Sequence, residues 1–206
     1  MDIYFEFEGI PTGNISDACG GRGVMDHEIL PLDRRMTLCG KARTVLCAPG
    51  DNLAIYRAVL SSEPGDILVI NCGGYSYAGV FGEMLALNCR ARGIKGIVID
   101  GTCRDKNELI EMGLPVFARG TSPKGTTKSV VGTINEPTFC GGVTVRPGDV
   151  IVGDCDGVIV IPKEEAEAIL AAAKKKKQRE DEMRPLLNSG TSLAELLGLI
   201  DKLERR

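Results

Sequence analysis

Apolar residues in the middle of the chain follow two periods in turn, and this pattern predicts strands that alternate with helices. Short apolar runs typical of buried strands lie at 67–70, 96–100 and 114–118. Between them, apolar residues spaced three or four positions apart predict helices at 83–92 and 105–112. The run 96–100 is apolar on both faces, so we expect it to be a central strand. This half of the chain therefore predicts an α/β domain.

The segments before residue 67 are also predicted to alternate between helix and strand. They predict a short helix, a strand and a second helix, at 14–19, 41–47 and 52–61. The first helix is expected to end in the glycines at 20–23. Asp51 or Asn52 is expected to cap the second helix.

The tripeptide Pro-Gly-Asp occurs three times, at 49–51, 64–66 and 147–149. The last two copies directly precede apolar runs, so they predict turns that lead into buried strands. The copies have no fixed period, and the recurrence therefore indicates turn chemistry rather than a repeat array.

The last 80 residues have a different pattern. Short β segments separated by Pro and Gly are predicted at 126–134, 142–145, 150–153 and 157–161. A long helix is predicted at 163–183, then an interruption at Pro185 and Gly190, then an amphipathic helix at 192–203. We expect one α/β domain at 1–162, with mixed sheets in a barrel-like or sandwich core and flanking helices. Residues 163–206 would form a C-terminal helical extension that packs on the same or a neighbouring subunit.

Composition narrows the possible partners. The chain has 206 residues, 43% of them hydrophobic and 26% charged, which suits a single core. Its net charge of −3 gives no global basic field, so nucleic acid is not an expected partner. The acidic N-terminus does not resemble a signal peptide, and no apolar run is long enough to span a membrane. We expect a cytoplasmic protein without a membrane partner.

Cysteine and histidine usage excludes several kinds of site. The eight cysteines are spread singly, and His27 is the only histidine, which argues against a zinc cluster. Most of the cysteines are expected to be buried and reduced, and Cys103 is a weak candidate nucleophile. A Ser/His/Asp triad would have to use His27, and the sequence has no Gly-x-Ser-x-Gly elbow or complete nucleotide-binding motif.

The candidate chemistry lies where a glycine-rich run, 72–79, leads into the helix predicted at 83–92. The residues of this helix start are Gly82, Glu83, Met84 and Leu85. Unpaired backbone N–H groups and the positive end of the helix dipole favour a bound carboxylate or phosphate there. The strand at 96–100 would carry the chain back past this point, so the loop 101–105 could bring Arg104 and Asp105 alongside. The arrangement predicts a metal-assisted anion site.

Short motifs spread along the chain resemble those of one family. They are Ser16-Asp17-Ala18, Pro49-Gly50-Asp51-Asn52, Gly82-Glu83-Met84-Leu85, Gly96-Ile97-Val98-Ile99-Asp100-Gly101, Arg104-Asp105, Pro115-Val116-Phe117-Ala118-Arg119-Gly120, Gly141-Gly142-Val143, Pro147-Gly148-Asp149 and Asp156-Gly157-Val158. The set resembles the class II 4-hydroxy-4-methyl-2-oxoglutarate aldolases, a family that also contains the regulator of ribonuclease activity A. The likeness extends from about Thr12 to about Leu197. Its most specific part is an acidic residue, twenty intervening residues and an Arg-Asp pair, matched by Glu83 and Arg104-Asp105.

The resemblance implies a swivelling β/β/α-type fold in a homotrimer or a dimer of trimers. It also implies a lyase that cleaves 2-oxo acid substrates to pyruvate with the help of a divalent metal. A hard cation held by one carboxylate and several waters is what Mg²⁺ prefers, and Mn²⁺ could substitute. The same enolate forms when oxaloacetate loses carbon dioxide, so oxaloacetate decarboxylase activity is expected too.

The resemblance also implies a role for each site residue. The segment 82–85 would hold the substrate, and Arg104 would bind its carboxylate or keto oxygen. Asp105 would ligate the metal directly, while Glu83 would hold water ligands of the metal. A further acidic residue would come from the C-terminal helix of the adjacent subunit, and Glu180 matches it best, followed by Glu182.

Two alternatives stay open. A class I aldolase would need a desolvated lysine that forms a Schiff base, and Lys95 and Lys106 are the lysines near the predicted site. A non-catalytic protein-binding regulator would resemble the regulator of ribonuclease activity A. Regulators of that type depart from the family pattern at the metal-binding aspartate, which this chain retains as Asp105.

Overall fold

The computed structural model describes residues 2–204, in which strands and helices alternate as far as residue 121. The strands are β1 (Leu30–Pro31), β2 (Leu38–Leu46), β3 (Asp66–Gly79), β4 (Gly96–Cys103), β5 (Val116–Thr121), β6 (Thr133–Ile134), β7 (Thr138–Cys140), β8 (Val143–Val145), β9 (Val150–Asp154) and β10 (Gly157–Ile161). The helices are α1 (Thr12–Ala18), α2 (Leu53–Ser61), α3 (Glu83–Ala91), α4 (Lys106–Met112), α5 (Ala166–Asn188), α6 (Leu193–Leu196) and α7 (Ile200–Glu204).

One mixed sheet organises the described chain. Its order is β1-β5-β4-β3-β2-β9-β10, and β6 pairs with β2 from the side. The inner strands β2, β3, β4 and β5 are parallel to one another. The outer strands pair antiparallel with their neighbours: β1 with β5, β6 and β9 with β2, and β10 with β9. Strand β4 is buried along its whole length, which confirms that the run 96–100 is central. Helices α2, α3 and α4 are the crossovers that parallel neighbours require.

The segment before β1 nearly closes this sheet into a barrel. The Met25 N–H donates to the Val158 carbonyl at 2.9 Å, and the Val160 N–H donates to the Gly23 carbonyl at 2.8 Å. A few residues later, β1 pairs with β5 at the other edge. Gly23 has φ of +78°, and a Cβ there would lie 2.1 Å from the Val160 oxygen, so only glycine allows this approach. Of the two expected cores, the barrel-like one is confirmed.

The alternation of side chains in the central strands divides the interior. Leu68 and Ile70 of β3 pack against helices α2, α3 and α4, while Ile67 and Val69 pack on the opposite face with residues such as Phe117. All five side chains are fully buried. Burial of each one contributes about 1.5–3 kcal/mol, which fixes the register of the strands and the positions of their carboxyl ends.

Two predicted segments differ in the structure. The glycine-rich run 72–79, for which no strand was predicted, continues β3 as a bulged strand, because Gly73 and Gly74 take positive φ and allow pairing to resume at Tyr75 and Gly79. The segment 126–134, expected to be β, is an extended loop apart from β6 and one bridge at Thr127. Its β-branched residues suggested a strand, but much of the segment is exposed and has no partner strand among the described residues.

The C-terminal helices differ in detail from the pattern. Helix α5 continues through Pro185 to Asn188, because a proline in the last turn removes only one internal hydrogen bond. The helix expected at 192–203 is split into α6 and α7 at Gly198, where φ of +65° ends the first piece. Only the start of α5 packs on the core. The predicted domain 1–162 includes residue 1, and the predicted extension 163–206 includes residues 205 and 206. These three residues lie outside the described residues. None of the helices within 2–204 combines the length and the apolar composition that crossing a bilayer requires.

Candidate active site

The predicted site residues meet at the carboxyl ends of β3 and β4. Gly82 is the N-cap of α3, and Asp105 is the N-cap of α4. The Glu83 N–H donates to Asp105 Oδ2 at 3.0 Å, and the Arg104 N–H donates to the Phe81 carbonyl at 2.8 Å. The two helix starts are therefore bonded side by side, as the order of strands and helices predicted.

Gly82 makes this contact possible. A Cβ at this position would lie 2.3 Å from Asp105 Oδ2 and 3.0 Å from Arg104 Cγ. Its backbone is extended, with φ of −150°, so any residue could adopt the conformation. Close approach is what requires the glycine here.

Asp105 has an unusual backbone conformation. Its φ of 57° and ψ of 46° are left-handed, a region that few non-glycine residues occupy and that aspartate tolerates better than most. The side chain does not cap its own helix α4 but reaches across to the start of α3. Oδ2 accepts the hydrogen bond from Glu83, whereas Oδ1 has no partner among residues 2–204. One carboxylate oxygen is thus fixed and the other is open to a ligand.

The first turn of α3 offers further donors. The backbone N–H groups of Met84 and Leu85 have no acceptor within the described chain. The Met84 side chain is 75% exposed, whereas Leu85 is buried and anchors the turn on the core. Free N–H groups at the positive end of a helix dipole bind carboxylates and phosphates.

Arg104 adds a cation next to these donors. Its Nε lies 3.5 Å from Asp105 Oδ2, and its side chain is about half exposed. A Cβ on Gly79 would lie 2.8 Å from Arg104 Cβ, so the end of β3 also packs tightly against this residue. The backbone of Lys124, whose carbonyl accepts from the Gly79 N–H at 3.0 Å, borders the same region. The guanidinium group retains donors that could bind a planar oxyanion.

These residues suit a hard divalent cation. The donors nearest the open Asp105 Oδ1 are oxygens, and no histidine or thiolate is close by within 2–204. The Cys103 thiol is buried and donates to the Gly120 carbonyl, so it is not available as a metal ligand. Oxygen donors are what Mg²⁺ and Mn²⁺ prefer. Glu83, in the first turn of α3, could hold such an ion through water. Burial raises the pKa of Cys103 to about 11, which makes this thiol a poor nucleophile at neutral pH.

Glu180 is not joined to this group within one chain. Its carboxylate accepts a hydrogen bond from Asn14 Nδ2 at 2.8 Å and lies 3.5 Å from Lys176 Nζ, at the contact between α1 and α5. Glu182 accepts from Gln178 on the same helix. The role of Glu180 across a subunit contact therefore stays a prediction.

The two lysines of the class I alternative are both exposed. Lys95 precedes β4 and lies at the opposite edge of the sheet, roughly 25 Å from Arg104 along the strand. Lys106 follows Asp105 in the first turn of α4. A Schiff-base lysine needs a desolvated amine, and neither exposed position supplies that environment.

A buried ion-pair network, which the sequence did not reveal, lies on the other face of β4. Arg119 Nε donates to Asp100 Oδ1 at 2.6 Å, and its Nη1 donates to Asp26 and Glu28 at 2.9 and 2.7 Å. Asp100 Oδ2 accepts from the Gly141 N–H at 2.9 Å. The pair fixes the ends of β4 and β5. The acidic Asp100 at the end of an otherwise apolar strand, 96–100, marks a buried charge but does not identify its partner.

Asp51 organises the loop that borders the site. Its Oδ1 accepts from the Leu53 N–H at 2.9 Å, and its Oδ2 accepts from Thr127 Oγ1 and from the Ser129 N–H at 2.7 and 2.6 Å. Burial alone would raise the pKa of Asp51, but these hydrogen bonds outweigh it and lower the pKa to about 2. The turn at 49–52 thus caps α2, as expected, and also holds the loop after β5.

A sizeable groove of the described chain lies elsewhere. It has a volume of about 930 Å³ and is lined by residues at the amino ends of β4 and β5 and the end of β9, among them Phe5, Leu38, Lys95, Pro115 and Asp154. Three potential metal ligands, Asp154, Cys155 and Asp156, lie close together on its rim. Asp154 already accepts two hydrogen bonds from Thr12, at the start of α1. This groove thus lies at the opposite edge of the sheet from Arg104 and Asp105.

Comparison with known proteins finds a matching family and similar chains. The family model described as RraA-like, Aldolase/RraA, matches residues 12–160. A protein of Halalkalibacterium halodurans, provisionally named 4-hydroxy-4-methyl-2-oxoglutarate aldolase, is 43% identical over 184 residues, which cover 89% of this chain and 87% of that protein. The match to the family model includes the Gly82–Leu85 turn, Arg104 and Asp105 but ends before Glu180.

Two solved structures share the fold. That of an uncharacterized protein from Pseudomonas syringae has a TM-score of 0.86 at 28% identity and covers 94% of this chain and 92% of that one. Streptomyces coelicolor RraAS2, described as an unusual member of the RNase ES inhibitor RraA protein family, has a TM-score of 0.82 at 28% identity, with 89% and 96% covered.

Proposed function

The chain belongs to the RraA-like family, Aldolase/RraA, and from this we propose that it is a divalent-metal-dependent, class II pyruvate aldolase. Its substrates would be 2-oxo acids of the 4-hydroxy-4-methyl-2-oxoglutarate type. The observation that carries the proposal is the bond between the Glu83 N–H and Asp105 Oδ2, which sets a half-free carboxylate beside an open helix start and Arg104.

Each residue has a task in this reaction. The N–H groups of the α3 first turn bind the substrate carboxylate, and Arg104 stabilises the negative charge that develops on the keto oxygen. A base takes the proton from the C4 hydroxyl, a carbonyl forms at C4, the C3–C4 bond breaks, and its electron pair moves into the pyruvate enolate. Protonation of the enolate at C3 releases pyruvate. Mg²⁺ or Mn²⁺, held directly by Asp105 and through water by Glu83 and the adjacent subunit's Glu180, would supply Lewis-acid stabilisation of the same charge.

Oxaloacetate is a second expected substrate. Loss of carbon dioxide from its C4 carboxylate leaves the same enolate, so the groups that stabilise one reaction stabilise the other. Decarboxylation needs no base at a C4 hydroxyl. It therefore tests the enolate-binding half of the site separately from proton removal.

A homotrimer or a dimer of trimers is part of the proposal. Glu180 lies on α5, most of which extends away from the core, and the family resemblance gives the matching acid to the neighbouring subunit's site. Exposed leucines near the end of the same helix, Leu186 and Leu187, offer apolar surface for such a contact.

A regulator that binds another protein is the second candidate. The likeness to RraAS2, described as belonging to an RNase inhibitor family, supports it. Asp105 favours the enzyme, because a carboxylate held in a left-handed conformation with one free oxygen has no evident use in a regulator.

A pyruvate-release assay tests the proposal, with 4-hydroxy-4-methyl-2-oxoglutarate and oxaloacetate as substrates. We expect wild type to turn over both, EDTA to abolish the activity, and added Mg²⁺ or Mn²⁺ to restore it. Asp105→Ala, and Asp105→Asn, which tolerates the left-handed backbone better, should lose at least about 100-fold in rate. Asp156→Ala, at the opposite edge of the sheet, is the control. Full turnover by Asp105→Ala would exclude the metal assignment.

A further inference from the structure

The turn at 49–52 carries a side chain that its capping role does not use. Asn52 is the N-cap residue of α2, yet its side chain makes no capping bond, because Asp51 accepts from the Leu53 N–H instead. The Asn52 side chain is 5% exposed. A polar group buried this deeply needs a partner.

That partner is the backbone next to the candidate site. Asn52 Nδ2 donates to the Val80 carbonyl at 2.9 Å, in a buried hydrogen bond between residues 28 positions apart. Val80 lies two residues before Gly82. Its own N–H donates to the Thr102 carbonyl at 2.9 Å, and Phe81 accepts from the Arg104 N–H. Two backbone bonds from the β4 region and one side-chain bond from Asn52 thus fix the entry to α3.

The oxygen of the Asn52 side-chain amide lowers the stability of the fold. Asn52 Oδ1 is buried and has no hydrogen-bond partner among residues 2–204. An unpaired buried oxygen of this kind destabilises the fold by about 1–3 kcal/mol. An apolar residue of similar volume would remove this oxygen but would leave the buried Val80 carbonyl without its donor. The bond to Val80, and not the capping of α2, is therefore what the asparagine supplies here.

We propose that Asn52 is a positioning residue for the carboxylate-binding turn. By holding the Val80 carbonyl, it sets the direction in which the chain enters α3 and so aims the N–H groups of Met84 and Leu85 at the bound 2-oxo acid. It does not touch the substrate. The inference rests on the proposed function, because it concerns the same site.

Four measurements on Asn52→Leu test it. This variant removes both the donor and the unpaired oxygen. We expect the melting temperature to change little, because the variant exchanges one unpaired buried oxygen, Asn52 Oδ1, for another, the Val80 carbonyl. The KM for pyruvate release should increase at least about tenfold and kcat should change less than about threefold, since carboxylate binding is shared by ground and transition states. Oxalate, a planar analogue of the pyruvate enolate, should bind at least about tenfold more weakly by calorimetry. Backbone amides of 82–85 should exchange hydrogen faster.

Thr127→Val is the matched control. It removes a hydroxyl that bonds Asp51 in the same turn, but it leaves the bond from Asn52 to Val80. We expect its KM and oxalate affinity to match wild type. If Asn52→Leu fails to fold, Asn52→Ser, whose hydroxyl is too short to reach the Val80 carbonyl, serves in its place.

The outcomes separate this inference from the proposed function. If wild type releases no pyruvate and binds no oxalate, the proposed function fails, and the exchange of 82–85 still reports whether Asn52 orders the turn. If wild type is active and the Asn52 variants have unchanged KM, oxalate affinity and exchange rates, the positioning role is overturned while the proposed function stands. A lower melting temperature with unchanged ligand binding would show a purely structural role.

Discussion

The Asp105 carboxylate accepts a hydrogen bond from the Glu83 backbone N–H across 22 residues of sequence, at 3.0 Å. The bond joins the starts of two consecutive helices, and a left-handed backbone at Asp105 makes it possible. It leaves one carboxylate oxygen free beside the open N–H groups of α3. A small shift of either helix start would separate these groups, so the predictions below concern the residues that hold them.

Gly82→Ala should disable the site with a modest loss of stability. The added methyl would lie 2.3 Å from Asp105 Oδ2, so the aspartate must move away from the α3 start. We expect pyruvate release to fall at least about 100-fold and stability to fall by about 1–3 kcal/mol, measured by steady-state kinetics and urea unfolding.

Gly13→Ala is the control for that substitution. Gly13 lies in α1, and a Cβ there meets nothing within 4 Å. It should gain about 0.5–1 kcal/mol in stability and keep full activity. Wild-type kinetics in Gly82→Ala would show that the close contact has no functional role.

Arg104→Lys should weaken substrate binding although the charge is kept. A lysine ammonium cannot reproduce the planar pair of donors that a carboxylate or enolate accepts. We expect kcat/KM for oxaloacetate to fall about 10- to 100-fold. Arg90→Lys, in the last turn of α3, should leave it unchanged.

Asp51→Asn should change how stability depends on pH. The folded-state pKa of Asp51 is about 2, below its ordinary 3.8. The ionised carboxylate therefore contributes stability that is fully present above about pH 4 and is lost as the pH falls towards 2. The advantage of wild type over the variant should shrink across this window by about 2 kcal/mol, measured by urea unfolding.

Asp149→Asn gives the opposite sign and serves as the comparison. Burial raises the pKa of Asp149, so ionisation of this group opposes folding as the pH rises through its pKa values. The difference between wild type and this variant should therefore decrease with rising pH. Parallel curves for the two variants would contradict both assignments.

Arg119→Met should destabilise the fold strongly. It leaves Asp100, whose side chain is 9% exposed, as a buried charge without its cation. We expect a loss of about 3 kcal/mol by urea unfolding. The double variant Asp100→Asn with Arg119→Met should recover part of that loss, because the uncompensated charge is gone. Additive effects in the double variant would show that the pair is not coupled.

Borohydride should fail to trap pyruvate on this protein. A Schiff base would add a reduced pyruvoyl group to a lysine, and both Lys95 and Lys106 are exposed and so lack the environment that such a lysine needs. Intact-mass spectrometry after treatment with pyruvate and borohydride should show no such adduct. An adduct on Lys106, together with activity that survives EDTA, would favour the class I mechanism.

The pattern of the chain predicted the parts of the site that depend on neighbouring residues. The strand that ends before Arg104 and the helix that starts at Gly82 each have a local periodicity, and parallel strands bring their carboxyl ends to one edge. Contacts between distant residues had no such signal. The bond from Asn52 to Val80 and the pairing of Arg119 with Asp100 depend on how the elements pack.

The glycines in the run 72–79 explain why this part of β3 was not predicted. The run 72–79 has few side chains with which to show a β period, so no strand was predicted there, although it extends β3 as far as Gly79. The opposite error occurred at 126–134, where Thr and Val residues suggested a strand. There Asp51 holds Thr127 and Ser129 through its carboxylate, and most of the segment stays irregular.

The position of the 930 Å³ groove matters for the search for inhibitors. Compounds chosen for shape complementarity to this groove would bind near Lys95, roughly 25 Å from Arg104 along β4. Such compounds would not compete with a keto acid, and their potency would not depend on substrate concentration. If the proposed function holds, small dianions with two coplanar carboxylates are the better starting scaffolds, because the open N–H groups of α3 and the planar guanidinium of Arg104 bind such groups.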